Sequence, residues 1–319
     1  MPSPFSSQRL PLLIALAWSA AGAHAIRCTS SRRSQLRLAT VAAAAAASNT
    51  LSAPSFAAQQ TQLNTVLVAG ATGQTGRRVL ERLASKERLT VLGGVRDVDK
   101  AAKSLSEQSL VLRGAMVQKV GAVDASQVAL KPLDVEKDGV SKLKDTLGGV
   151  DALVIATGFV PGNPFQMNAA AHSVDNLGTV ALVDAAKAAG VKKVVLVSSI
   201  LTNGRSWGQE KSPGFVVTNA FGNVLDEKLV AEKYLRQSGI DYTIVRPGGL
   251  KSTPPSGALV VSEEDTLNSG EISRDLVADV CVAALSDPNA KNKVVEIFES
   301  TDPAATMPPQ GKWFYGLKM

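Results

Sequence analysis

The chain has 319 residues, of which 45% are apolar and 19% are charged, a globular composition. Its first 60 residues carry five arginines and no acidic residue, so the formal net charge falls from +6 to +1 beyond them, which argues against a nucleic-acid-binding surface. One histidine and one cysteine remain after residue 60, and these exclude a disulfide framework and a zinc site of His and Cys ligands.

Residues 1–60 are predicted to be a targeting segment. An apolar core, LPLLIALAWSAAGAHA, ends in the cleavage pattern Ala23-His24-Ala25, and the Arg-, Ser- and Ala-rich stretch behind it resembles a transit peptide. A signal peptide followed by a transit peptide indicates a plastid (chloroplast), with a mature start near residue 58 and a place in the stroma or at the thylakoid. Two alternatives stay open: a disordered tail behind a secretory signal, or a twin-arginine signal at Arg32-Arg33.

Residues 61–319 are predicted to form one domain in which strands and helices alternate. The predicted strands are NTVLVAG, LTVLGGV, VALKPLDV, VDALVIATG, KKVVLVSS, DYTIVRPG and NKVVEIF. The predicted helices are GRRVLERLAS, GTVALVDAAKAAG, DEKLVAEKYLRQSG and SRDLVADVCVAAL, in which Cys281 is expected to be a buried apolar residue. Continuous apolar strands separated by helices indicate an α/β fold, a doubly wound parallel sheet with a small C-terminal portion on the substrate side. No apolar run here is long enough to span a bilayer.

A glycine-rich turn, GATGQTG, follows the first predicted strand. Glycines at such a turn allow the backbone to approach a pyrophosphate at the helix N-terminus. The predicted cofactor-binding residues are Gly70, Thr72, Gly73, Gln74, Thr75 and Gly76. The glycines would also be needed merely to close a strand-to-helix turn, but their place at the start of a whole βαβ array favours a dinucleotide.

The second predicted strand ends at Arg96. A NAD site commonly has an acid here, whereas Arg96, with Lys100 one turn on, suits a 2′-phosphate, so we predict that NADPH is preferred over NADH. Asp97 could instead bind the ribose, and Arg96 could be a solvated surface charge.

Two further strand ends complete the predicted cofactor site. Asp134 and Val135 are expected to border the adenine, although an aspartate at a strand end is often only a helix cap. The fourth predicted strand ends in Ala156, Thr157 and Gly158, which are expected to line the cofactor.

The glycine spacing, VDALVIATG, VDNLGTVALVDAAKAAGVKKVVLVSS and DYTIVRPGGL together resemble the atypical short-chain dehydrogenase/reductases, over residues 65–300. Within these the chain is most similar to plastid NAD(P)-binding, flavin-reductase-like proteins of plants and algae. The resemblance implies a Rossmann fold and makes Lys228 the lysine that holds the nicotinamide ribose hydroxyls. It makes Ser199 the active-site serine, with Ser198 as a structural neighbour. A solvated Lys228 and a serine that only satisfies backbone groups are the alternatives.

Two positions depart from the usual pattern of such enzymes. Val224 stands where the catalytic tyrosine lies four residues before the lysine, and Asp175 stands where many relatives carry asparagine. Tyr234 is turned roughly 240° from Lys228 on a helix, so it cannot replace the missing tyrosine. Tyr242 is expected in the core. The resemblance also places Arg246 and Pro247 at the turn that shapes the substrate side.

Without a catalytic tyrosine, simple ketone reduction is the least expected chemistry. We predict a small-molecule hydride acceptor that delocalises charge, a flavin, quinone or tetrapyrrole, with Phe165, Met167, Trp207 and Phe221 offering apolar surface. The alternative is a non-catalytic NADP(H)-sensing or docking protein. The C-terminal segment GKWFYGLKM could contact a membrane surface or protein partner through Trp313 and Phe314, but docking onto the core is favoured.

Overall fold

The computed structural model describes residues 63–106, 109–113, 116–120, 123 and 127–318. The predicted targeting segment, residues 1–60, lies outside them. The strands are β1 (Thr65–Ala69), β2 (Thr90–Val95), β3 (Ser109–Arg113), β4 (Met116–Val120), β5 (Val128–Pro132), β6 (Ala152–Ile155), β7 (Lys193–Val197), β8 (Asp241–Pro247), β9 (Gly249–Lys251), β10 (Leu259–Ser262), β11 (Glu271–Ser273) and β12 (Lys293–Glu299). The helices are α1 (Gln74–Ala84), α2 (Val98–Ser106), α3 (Val140–Thr146), α4 (Met167–Ala171), α5 (Gly178–Ala189), α6 (Pro213–Asn219), α7 (Val224–Gln237) and α8 (Arg274–Ser286).

An eight-stranded sheet has the order β10-β12-β8-β7-β6-β1-β2-β5. All its neighbours pair in parallel except β10, which runs antiparallel to β12 at the edge. The chain proceeds from β1 towards β2 and β5, then crosses to β6 on the other side of β1. This reversal between β1 and β6 opens a crevice at the carboxyl ends of the strands, the usual ligand site of such sheets. The predicted doubly wound α/β fold is confirmed.

All seven predicted strands and all four predicted helices are present. Helices α2, α3, α4 and α6 were not predicted. Neither were three strand features: the β3–β4 hairpin, the short β9–β11 pair, and β10. Each consists of strands of three to five residues, too short for a periodic pattern to distinguish strand from loop.

Apolar layers cover both faces of the sheet. Helices α1 and α8 pack on one face and α3 and α5 on the other. Cys281 lies fully buried in the first layer, where burial raises the pKa of its thiol to about 12. Trp313 and Phe314 are buried in the same layer, so the C-terminal segment docks onto the core. Among the residues described, none of the helices has the length and apolarity needed to cross a membrane.

A buried ionic cluster around Arg246 holds α7, β12 and the loop after β10 to the end of β8. The guanidinium lies 2.6 Å from Glu232 of α7, 3.4 Å from Glu296 of β12, and 3.2 and 2.8 Å from Glu264 and Asp265 in the loop after β10. Burial alone would lower the pKa of Arg246, but Glu232 and the other carboxylates raise it above its usual value. The Arg246 guanidinium is therefore fully engaged with carboxylates of the protein itself.

Candidate functional site

The turn after β1 is shaped by contacts within the protein itself. Gly70 has φ +80°, and a Cβ on it would lie 2.8 Å from the Ala156 carbonyl oxygen. A Cβ on Gly76 would lie 2.2 Å from the Gly70 carbonyl oxygen, and the Gly73 N–H donates to that same oxygen at 2.9 Å. Two of the three glycines are thus required to fold the turn, so they do not by themselves establish a cofactor site.

The start of α1 is suited to an anion. Gly73 is the N-cap and supplies no side-chain cap, and the first turn, which includes Gln74, Thr75 and Gly76, carries no acidic residue. The first N–H groups of a helix have no partner within the helix, and together with the helix dipole they attract phosphate. The predicted phosphate position is therefore left open to a ligand by the local structure.

A cleft of about 330 Å³ lies beside this turn, at the crevice between β1 and β6. Eight of the predicted cofactor residues line it: Gly70, Thr72, Gly73, Arg96, Val135, Ala156, Thr157 and Gly158. The other lining residues are Gly94, Val95, Leu133, Glu136, Phe159, Val160, Ala170 and Val174. The Thr157 hydroxyl oxygen is buried and has no hydrogen-bond partner among the described residues, so it is available to a bound molecule. The uncapped start of α1 fits a dinucleotide phosphate, and the unpartnered Thr157 hydroxyl fits a ribose.

Two charged residues, Arg96 and Asp97, follow β2 and have different environments. Arg96 is 73% exposed in its side chain and lies at the mouth of the cleft. Asp97 caps α2, because its carboxylate accepts the Lys100 N–H at 2.9 Å. Asp97 is therefore engaged with the backbone, which favours Arg96 over Asp97 as the residue at this end that contacts a ligand.

Asp134 does not line the cleft. Its carboxylate accepts the Glu136 N–H at 3.1 Å and lies 3.8 Å from Lys137, and its own N–H donates to Asp138. It shapes the turn after β5 and does not cap α3, whose N-cap is Gly139. The neighbouring Glu136 lines the cleft instead and was missed, since one more acid in a polar turn gives no sequence signal.

Lys228 is held by a buried carboxylate on a distorted helix. Its ammonium group lies 2.7 Å from Asp175 Oδ1, and the side chains are 18% and 1% exposed. Asp175 lies in a π-helical turn, His172–Leu177, and its other oxygen accepts the Phe159 N–H at 3.1 Å. π-helical turns are rare in proteins overall, and those that occur often lie at functional sites. Asp175 therefore joins Lys228 to the loop that follows β6.

Asn176 and His172 of the same π-helical turn contact the residue before Lys228. The Glu227 carboxylate accepts the Asn176 amide at 2.7 Å and lies 3.0 Å from His172 Nδ1. These contacts pin the start of α7 against the π-helical turn, so the Lys228–Asp175 pair is supported on both sides.

The two serines after β7 differ in environment. Ser198 is buried, and its hydroxyl donates to Glu232 at 2.5 Å within the Arg246 cluster. Ser199 is half-buried and makes no side-chain hydrogen bond within the described part of the chain. Ser199 is thus the serine with a hydroxyl available to a ligand, whereas Ser198 is structural, as expected.

The position of the missing tyrosine is apolar. Val224 is buried, and it packs in a cluster with Ala171, Ile200, Leu201, Phe215 and Leu225. Tyr234 lies elsewhere on α7 and donates to Asp184 at 2.5 Å, and Tyr242 is half-buried against the core. Neither tyrosine replaces the acid that Val224 lacks.

The segments after β6 and β7 contain the four apolar residues predicted to contact an acceptor. Phe165 is 97% exposed, and Phe221 is exposed as well. Trp207 packs against the cluster that contains Val224, and Met167 is half-buried at the start of α4. Of the four predicted apolar residues, two are therefore free to contact a ligand or partner.

Comparison with known proteins agrees with this geometry. The family model described as NAD(P)H-binding matches residues 70–288. The chain belongs to this NAD(P)H-binding family. Its resemblance to plastid NAD(P)-binding proteins is confirmed by a chloroplast protein of Arabidopsis thaliana that has not been characterised, 47% identical over 73% of this chain and 75% of that protein.

Two further similarities concern proteins with named activities. Sanguinarine reductase of Eschscholzia californica is 30% identical over 73% of this chain and 88% of its own. The solved structure of ChuY, an anaerobilin reductase from Escherichia coli O157:H7, has a TM-score of 0.56 and 24% identity, covering 76% of this chain and all of that one. At that identity the structural match supports the fold alone. The chain therefore has an NAD(P)-binding, oxidoreductase-like fold.

Proposed function

We propose that the chain is an NADPH-dependent reductase of a conjugated acceptor that works without a catalytic tyrosine. Three observations support this proposal: a cleft lies beside the glycine-rich turn, Lys228 is paired with the buried Asp175, and Val224 fills the tyrosine position with an apolar side chain. These residues would hold a nicotinamide cofactor, and the usual tyrosine proton donor is absent at Val224.

Each part of the cofactor has a fitting group in the chain. The first turn of α1 would hold the pyrophosphate, and Arg96 the 2′-phosphate. Lys228, oriented by Asp175, would donate to the nicotinamide ribose hydroxyls, and the Thr157 hydroxyl in the cleft wall would offer a further hydrogen bond. When bound, NADPH supplies the hydride.

The acceptor class follows from the missing donor. A ketone becomes an alkoxide as it accepts a hydride and needs a positioned acid, whereas a conjugated acceptor spreads the charge and takes its proton from water. Phe165 and Phe221 offer exposed apolar surface to such a flat molecule. The similarity to sanguinarine reductase supports a reductase, and the chloroplast relative supports a plastid location.

The test is turnover of the purified protein. We expect slow NADPH oxidation with at least one of a panel of flavins, quinones and tetrapyrroles, with kcat nearly constant across the pH range where a tyrosine–lysine couple would titrate. Val224→Ala adds no proton donor and does not overpack the buried cluster, so it should leave NADPH affinity unchanged. Failure to bind either nicotinamide cofactor would overturn the proposal.

A second candidate is an NADP(H)-sensing protein that docks on a partner. Exposed apolar side chains after β6 and around α6 favour it: Val160, Phe165, Val216, Val217 and Phe221. Tight NADPH binding without hydride transfer to any acceptor of the panel would select this candidate over the reductase.

The predicted plastid location is tested by a separate experiment. Mass spectrometry of the native N-terminus should find a start near residue 58 in protein isolated from plastids. A start upstream of residue 26, or a secreted protein, would contradict the plastid proposal.

A further inference from the structure

Arg96, the proposed 2′-phosphate ligand, already has an anionic neighbour in the cleft. Its Nη1 lies 4.0 Å from Glu136 Oε2 across the cleft mouth, and both residues line the cleft. The side chains are 73% and 37% exposed, so water and salt weaken this attraction. The pair is loose enough to be exchanged for another anion.

Glu136 is fixed at this place from two sides. Its Oε1 accepts the Ser173 hydroxyl at 3.2 Å, and its N–H donates to Asp134 at 3.1 Å. Ser173 belongs to the π-helical turn, which contacts α7, so the carboxylate is tied to a well-supported element. A carboxylate held in this way cannot leave the cleft freely when a second anion arrives.

We propose that Glu136 is a specificity-determining residue that competes with the cofactor's 2′-phosphate for Arg96. This inference rests on the proposed NADPH site. A 2′-phosphate that contacts Arg96 must displace the Glu136 carboxylate and remain close to it, and like charges repel. NADH has no 2′-phosphate, so its binding requires no displacement of the Glu136 carboxylate and is not opposed by this repulsion. Glu136 therefore lowers the preference for NADPH that Arg96 creates, so that the protein is less selective than Arg96 alone would make it.

The test uses Glu136→Gln, which removes the charge and keeps the shape. Titration calorimetry with 2′,5′-ADP and 5′-AMP isolates the adenosine end of the cofactor, and NADPH and NADH repeat the comparison. We expect 2′,5′-ADP and NADPH to bind about three- to fivefold more tightly, the scale of one exposed ion pair, and 5′-AMP and NADH to stay within about twofold of wild type.

Glu87→Gln is the matched control. Glu87 is exposed and lies before β2, at the opposite end of that strand from Arg96, so it gives the same change in net charge away from the cleft. It should leave all four affinities within about twofold of wild type. In an Arg96→Ala background, Glu136→Gln should raise the affinity for 2′,5′-ADP and NADPH by less than about twofold, because the guanidinium for which Glu136 and the phosphate compete is absent.

Four results would overturn the inference. An equal gain for ligands with and without the 2′-phosphate, or for Glu87→Gln, would mean a general charge effect. Weaker 2′,5′-ADP binding by Glu136→Gln would mean that the carboxylate positions Arg96 for the phosphate. An undiminished gain in the Arg96→Ala background would mean that Arg96 is not involved. No change in NADPH affinity, with wild type still binding NADPH, would reject this inference alone, whereas wild type that binds no nicotinamide cofactor would reject the proposed function too.

Discussion

Two pairs of opposite charge differ in nearly every physical respect. Arg96 and Glu136 lie 4.0 Å apart, and both are accessible to water. Lys228 and Asp175 lie 2.7 Å apart, and the carboxylate is almost completely buried. Arg96 follows β2, which lies next to β1 in the sheet. Lys228 lies on α7, which leads into β8, and β8 is on the other side of the central β1–β6 pair.

This difference separates recognition from positioning. An exposed pair contributes at most about 1 kcal/mol, so a ligand anion can replace one of its partners at little cost. A buried pair that loses one partner leaves an uncompensated charge, which costs several kcal/mol, so its partners stay together. The first arrangement suits the discrimination of a 2′-phosphate, and the second suits a lysine whose position must not change.

Removing the buried carboxylate should produce the largest effect. Asp175→Ala leaves Lys228 without its counter-charge and the Phe159 N–H without its acceptor, so we expect a loss of about 3 kcal/mol in the free energy of unfolding. Urea denaturation with an unchanged m-value measures it. A loss below about 1 kcal/mol would mean that the pair is no stronger than a surface pair.

Asp175→Asn refines the same experiment. The amide oxygen can still accept a hydrogen bond, so the stability loss should be about half that of Asp175→Ala, while NADPH binding should still weaken because Lys228 loses its charged partner. If affinity fell only in proportion to stability, the role of Asp175 would be structural rather than positioning.

Removing the exposed cation should affect binding and not folding. Arg96→Ala should weaken NADPH by about 10- to 100-fold, the value of a charge-assisted contact, and leave NADH nearly unchanged. Its unfolding free energy should stay within about 0.5 kcal/mol of wild type. Titration calorimetry and urea denaturation test both halves, and equal losses for the two cofactors would show that Arg96 does not contact the phosphate.

Salt should give the smallest effect and still distinguish the two pairs. Raising NaCl from about 0.1 M to 1 M shortens the screening length from about 10 Å to about 3 Å. NADPH affinity should therefore fall more than NADH affinity, and the excess should vanish in Arg96→Ala. The stability difference between wild type and Asp175→Ala should change by less than about 0.5 kcal/mol, because a buried pair is screened little. A large change there would mean that water reaches Asp175.

Residue patterns predicted much of the candidate site as well as the fold. The Gly70 turn, Arg96 and Thr157 meet in one cleft, because parallel strands bring their carboxyl ends to one edge of the sheet. The prediction for Asp134 depended on which way its side chain points, and in the structure it shapes a turn. Glu136 could not be singled out, since its importance comes from Arg96, forty residues earlier in the chain.

The amino-acid sequence by itself determined the doubly wound fold, the place of the dinucleotide turn and the loss of the tyrosine at Val224, because these depend on local periodicity and on the spacing of neighbouring residues. Only the tertiary structure decided that Asp175 holds Lys228, that Ser198 is committed to the Arg246 cluster while Ser199 is not, and that Glu136 faces Arg96. The physical reason is range: a charge or hydroxyl acquires its role from a partner that the fold brings within about 4 Å, and the distance between two residues along the chain does not indicate that contact.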